Sequence, residues 1–124
     1  MEFVSLLSKG KGTWGQTIGL IKRGEWNKII IIGDRYVEKT FKKLDIEKSS
    51  DKKIIFISIN MEKGMKELVK EIKEKLKGKI EGTEVALSIA SGNGKEHMAL
   101  ISALINLPVG IRFAVLTKEG IEFF

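Results

Sequence analysis

Short apolar runs alternate along this chain with stretches in which apolar side chains recur every three or four positions, which predicts strands and helices in turn. Phe3 to Ser8 reads as a first strand. Thr13 to Arg23 reads as a helix, with Trp14, Ile18 and Ile21 near one stripe and Gly24 ending it. Lys28 to Ile32 contains four consecutive isoleucines, too apolar for a half-exposed strand but suited to a central parallel one. Asp34 is placed to cap a helix through Leu44 whose Tyr36, Val37, Phe41 and Leu44 face inward. Lys53 to Ile59 is the third strand. Asn60 is expected to cap a long helix through Lys77, with Met61, Met65, Leu68, Ile72 and Leu76 on one narrow face. Glu84 to Ala90 is the fourth strand, and a further helix runs to Leu107, where Pro108 stops it. Gly110 to Thr117 and Gly120 to Phe124 are two strands joined by Thr117-Lys118-Glu119-Gly120. A turn that short requires antiparallel pairing.

The fold class that follows is α/β: a Rossmann-like, mostly parallel sheet of about six strands with a C-terminal antiparallel hairpin and helices on both faces. One domain spans 1–124. Periodicity does not give the strand order. If the fourth strand lies beside the first, the order 3-2-1-4 brings the loops after both strands to one topological switch point. The 43% hydrophobic content suffices for such a core. The 22 Lys and Arg against 16 Asp and Glu leave +6, which favours anionic partners where it is concentrated. Between Lys70 and Lys79 the charges interleave and simply solvate a helix. Cysteine is absent, so disulfides, thiolate chemistry and cysteine-ligated metals are excluded. The apolar start Phe3 to Leu7 is too short for a signal peptide or a membrane span, and a cytoplasmic protein with no membrane partner is expected. Heavy use of Lys, Ile and Glu without cysteine points to a thermophile.

Two glycine-rich loops, each after a strand, carry the candidate chemistry. The first runs Ser8-Lys9-Gly10-Lys11-Gly12-Thr13-Trp14-Gly15, and the second Ser91-Gly92-Asn93-Gly94-Lys95-Glu96-His97-Met98. Gly92 and Gly94 permit close backbone approach, helix-start amides point toward an anion, and Lys95 adds positive charge. Ser91 and Asn93 offer hydrogen bonds to phosphate or ribose oxygens. The plain alternative is a tight turn whose lysine faces water. The first loop also spells Gly10-x-Gly12-x-x-Gly15 with Asp34 about 20 positions on, the dinucleotide fingerprint, although Trp14 crowds its third glycine. A small Rossmann-type dinucleotide-binding protein is therefore one alternative. The second loop lacks the lead-in and the Ser or Thr of a Walker A sequence, so nucleotide triphosphate hydrolysis has little support. His97 stands without spaced ligands, and neither a metal nor a cofactor is expected. In the helix after this loop, Met98, Ile101, Leu104 and Ile105 are placed to cover the sheet, while Leu100, Ala103 and Leu107 make a second apolar side. That pattern suggests either a two-fold homodimer or burial under the terminal hairpin. A non-enzymatic dimeric interaction or regulatory protein is the other alternative.

The stretch Val85 to Phe113, above all Ser91-Gly92-Asn93-Gly94-Lys95-Glu96-His97-Met98-Ala99, resembles the signature after the fourth strand of CRISPR-associated Rossmann-fold (CARF) domains. Val4-Ser5-Leu6-Leu7 through Gly12-Thr13 is similar to their first strand and ligand loop. Asn93 between Gly92 and Gly94 departs from the paired glycines of that signature. The resemblance implies a homodimer with one cyclic oligoadenylate across its two-fold axis, in antiviral signalling, with no long nucleic acid required. Ser91, Gly92, Asn93, Gly94 and Lys95 would form one wall and Ser8, Gly10, Gly12 and Thr13 the other. Lys9 and Lys11 join the binding set by charge and position. A stand-alone sensor, a ligand sink or a ring nuclease would each fit. In the nuclease form a ribose 2′-hydroxyl attacks the adjacent phosphorus without metal and expels the 5′-oxygen, leaving a 2′,3′-cyclic phosphate. Lys95 would stabilise the growing charge, Ser8 or Thr13 would position the nucleophile, and His97 is the proton-transfer candidate.

Overall fold

The computed structural model describes residues 1–47 and 52–124. Glu47 to Lys52, which the sequence reads as a polar surface loop, falls largely outside the described residues, and so does the side chain of Lys11. The elements are β1 (Glu2–Leu6), α1 (Trp14–Arg23), β2 (Lys28–Gly33), α2 (Arg35–Lys43), β3 (Ile54–Ser58), α3 (Met65–Leu76), β4 (Glu84–Ser88), α4 (Gly94–Asn106), β5 (Gly110–Thr117) and β6 (Gly120–Phe123). They form one six-stranded sheet in the order β3-β2-β1-β4-β5-β6. All pairings are parallel except the β5–β6 hairpin.

Alternation along the strands builds two cores. Val4, Leu6, Ile30, Ile32, Val85 and Leu87 point to one face, which α3 and α4 cover. Phe3, Leu7, Ile29, Ile31 and Ala86 point to the other, where Trp14, Leu20 and Ile21 of α1 and Val37 and Phe41 of α2 pack. The four isoleucines of β2 are each fully buried because they feed both layers at once. Burying each side chain of this size contributes roughly 1.5–3 kcal/mol.

Three expectations change at the level of faces and ends. Tyr36 and Leu44 are exposed rather than inward, since Val37 and Phe41 alone form the buried stripe of α2 and the helix ends before Leu44. α3 starts at Met65 with Gly64 as its N-cap. Asn60 instead accepts from the Glu62 amide at 3.0 Å, a local side-chain turn that competes with helix. On α4 the buried residues are Ala99, Leu100, Ala103 and Leu104, whereas Met98 and Ile105 are 62% and 63% exposed. All four belong to the core that α4 shares with the sheet and α3.

The amino-terminal edge of the sheet is closed by a charge network. The Glu2 carboxylate accepts from the Glu81 amide at 3.0 Å and from the Gly82 amide at 2.7 Å, with the Lys28 ammonium 3.7 Å away. Lys28 also donates to the Lys79 carbonyl at 2.6 Å. Trp26 stacks on Phe3 nearby, with ring centroids 4.9 Å apart. At the hairpin, Gln16 of α1 holds β5 through both halves of its amide: Nε2 donates to the Leu116 carbonyl at 3.2 Å, and Oε1 accepts from the Leu116 amide at 2.5 Å. No helix among the described residues is long and apolar enough to cross a membrane.

Candidate functional site

Because β1 and β4 are adjacent and parallel, with Ser5 opposite Ser88, the loops that follow them leave the same carboxyl edge side by side. Serines join them. The Ser8 amide donates to Ser91 Oγ at 2.9 Å, and the two hydroxyls lie 3.1 Å apart. Ser91 is fully buried beneath this junction. The indole of Trp14 donates to the Ser8 carbonyl at 2.7 Å, so the residue that crowds the glycine motif anchors the first loop instead.

Between the loops lies a cleft of about 350 Å³. Ser8, Lys9 and Gly10 line one side and Gly92, Asn93 and Glu96 the other. Asp34, Met61 and Glu62 complete it. Gly92 adopts φ +107°, and a Cβ there would sit 3.1 Å from His97 Nε2, so glycine is required at this turn. A second tight approach lies behind the cleft: a Cβ on Gly33 would meet the Leu7 carbonyl at 2.9 Å and Val37 at 3.0 Å.

Several candidate residues are occupied by their own loops. Asn93 and Glu96 form a reciprocal capping box on α4, with the Glu96 amide 2.9 Å from Asn93 Oδ1 and the Asn93 amide 3.0 Å from Glu96 Oε1. Lys95 is directed away from the second loop and donates to the Met61 carbonyl at 3.3 Å. Thr13 donates to the Gly10 carbonyl at 3.2 Å. Gly12 is exposed, with nothing within 4 Å of a built Cβ. His97 Nε2 lies 2.9 Å from the Ser91 carbonyl, and since a carbonyl only accepts, that nitrogen carries its proton and is not a free base.

The charges of the cleft are mixed. Asp34 caps α2 by accepting from the Val37 amide at 2.8 Å, and its other oxygen lies 3.6 Å from Lys9 Nζ. Asp34, Glu62 and Glu96 therefore face the cleft against the ammonium of Lys9. Met61, which the sequence reads as part of a helix face, lines the cleft instead, and neither Glu62 nor the capping role of Glu96 is among the sequence candidates. Their signal is positional: the segment after β3 leaves the same sheet edge as the glycine loops. That segment is pinned to α3 by Lys63, whose ammonium lies 2.5 Å from Glu71. This hydrogen bond holds the Glu71 carboxyl below its ordinary value, outweighing the opposing effect of burial, and raises the Lys63 ammonium.

No family model and no curated protein matches the chain.

The dinucleotide fingerprint is not used here in its usual way. Its third glycine ordinarily allows close packing of helix on strand. Gly15 is exposed, and a Cβ there would meet nothing within 4 Å. No cluster of three or more histidine or carboxylate side chains suited to a metal ion occurs among the described residues.

Proposed function

We propose that this chain is a CARF-type receptor that binds a cyclic oligoadenylate at the β1–β4 switch point, as a homodimer in the cytoplasm. The observation that carries the reading is the Ser8–Ser91 junction, which makes one cleft of two glycine loops remote in sequence. The amides of Gly94 and Lys95, at the start of α4, have no hydrogen-bond partner among the described residues and suit phosphate oxygens. The carboxylates of Asp34 and Glu62 suit the hydroxyls of ribose, as acceptors suit donors. A cleft of about 350 Å³ is at the small end for ligand cavities, so a ring of several nucleotides needs the same cleft from a second copy. Met98, near the start of α4, and Ile105, two turns further on, are exposed apolar side chains on one side of that helix. A two-fold axis along that side would bring two clefts together.

Calorimetry with cyclic tetra-adenylate and cyclic hexa-adenylate tests the reading. One ring bound per two chains supports it, and the absence of saturable heat with either ring overturns it. The same mixtures, incubated without divalent metal and separated by chromatography, read the chemistry. A linear product ending in 2′,3′-cyclic phosphate makes the chain a ring nuclease, whereas an intact ring makes it a receptor alone.

A further inference from the structure

A second cavity, of about 500 Å³, opens at the carboxyl ends of β2 and β3. It shares Lys9 and Asp34 with the β1–β4 cleft, so the two hollows are neighbours divided by that ion pair. Beyond the divide it is lined by Arg35, Tyr36, Ser58 and Asn60. Two of these placements run against ordinary helix economy. Arg35 sits at the first position of α2, where the helix dipole disfavours a cation, and no carboxylate pairs with it among the described residues. Tyr36 follows it, 56% exposed as a residue and with no hydrogen bond to its phenol among the described residues. Asn60 spends its carbonyl oxygen on the Glu62 amide, which leaves its NH₂ free to donate. Asp34 Oδ1 is taken by the α2 cap, while Oδ2, 3.6 Å from Lys9, retains room for a hydroxyl donor.

We infer that this cavity is a nucleoside subsite, with the base stacked on Tyr36 and a ribose hydroxyl donated to Asp34. The inference rests on the nucleotide reading of the neighbouring cleft and extends it to a place where one base of the ring leaves the phosphate path. Arg35 covers the base or meets its flanking phosphate, which gives its charge a partner at the helix start. The Asn60 NH₂ donates to a ring nitrogen, of which a purine offers several.

Amide chemical shifts separate this inference from the larger one. Adenosine without phosphate is titrated into the 124-residue chain, and the amides of residues 34–36 and 58–60 are followed. The expected result is saturable shifts there, with affinity reduced at least about fivefold in Tyr36→Ala, the loss of one base–aromatic stack. Tyr36 is exposed, so this variant keeps the fold. Asp34→Asn preserves the cap and is expected to bind adenosine more weakly, while its affinity for 2′,3′-dideoxyadenosine stays that of wild type. Absence of shifts in the wild type, or equal adenosine affinity in Tyr36→Ala, overturns the subsite. Ring binding is read independently at the amides of Ser91 and Gly92, so either idea can fail while the other stands.

Discussion

Both edges of the sheet carry charged side chains and treat them in opposite ways. At the amino-terminal edge, Glu2 is 4% exposed and its carboxylate is consumed by two amides and Lys28. At the carboxyl edge, Lys9, Arg35 and Glu62 are exposed, and Asp34 is the one ion-pair partner of Lys9 among the described residues. A charge with all its partners inside the protein stabilises the fold and has little left for a ligand. A charge left incompletely partnered at a strand's carboxyl end has capacity to spare. The amino-terminal edge is therefore a fastening, and the carboxyl edge is the one where charge remains available to a ligand.

Glu2→Ala tests the fastening most severely. It leaves two amides without acceptors and Lys28 with only the Lys79 carbonyl and the Glu81 carboxylate, and urea melts are expected to show a loss of about 3 kcal/mol. Ring affinity measured on the fraction still folded should stay at the wild-type value. A weakened affinity there would break the division between the edges. Gly33→Ala comes next, at about 2 kcal/mol, because the Leu7 carbonyl that a Cβ would strike is backbone and cannot swing aside. Ser91→Ala reverses the balance. It leaves the Ser8 amide unpaired at a cost of about 1 kcal/mol in melts, yet ring affinity is expected to fall about tenfold, because the two loops lose their junction. Equal affinity in that variant would show the junction to be structural only.

Acid titration gives the smallest effect. The Glu71 carboxyl is held low by Lys63, so its contribution is complete above the ordinary carboxylate range and is lost as pH falls through its depressed folded value. Glu71→Gln should therefore narrow the stability gap between neutral pH and about pH 3, with little change in the ring affinity measured at neutral pH. A gap as wide as that of wild type would show the pair to be without consequence.

The order of strands and helices was legible because apolar runs and helical stripes differ in period, as β2 and α3 show. Asp34 was legible as a cap because its chemistry is local. Features that depend on distance between elements were not. The direction of Lys95 is set by the Met61 carbonyl, which comes from another loop. The carboxylate side of the cleft was hidden because Asn60 turns the chain before α3 begins at Met65. On α4 apolar residues occur nearly all round, so periodicity left its buried side open, and packing against both the sheet and α3 settled it. The glycine loops were visible, but their serine junction joins residues 83 positions apart and has no local signature.

Gln16 has a consequence outside ligand binding. Its side-chain amide presents one donor and one acceptor to Leu116, imitating a single rung of a neighbouring strand. Beyond the end of β4 that stretch of β5 would otherwise offer a bare hydrogen-bonding margin, the kind of template on which extended segments of other molecules assemble. One glutamine thus takes up that rung, so a side chain rather than another strand meets the hydrogen-bonding groups of Leu116.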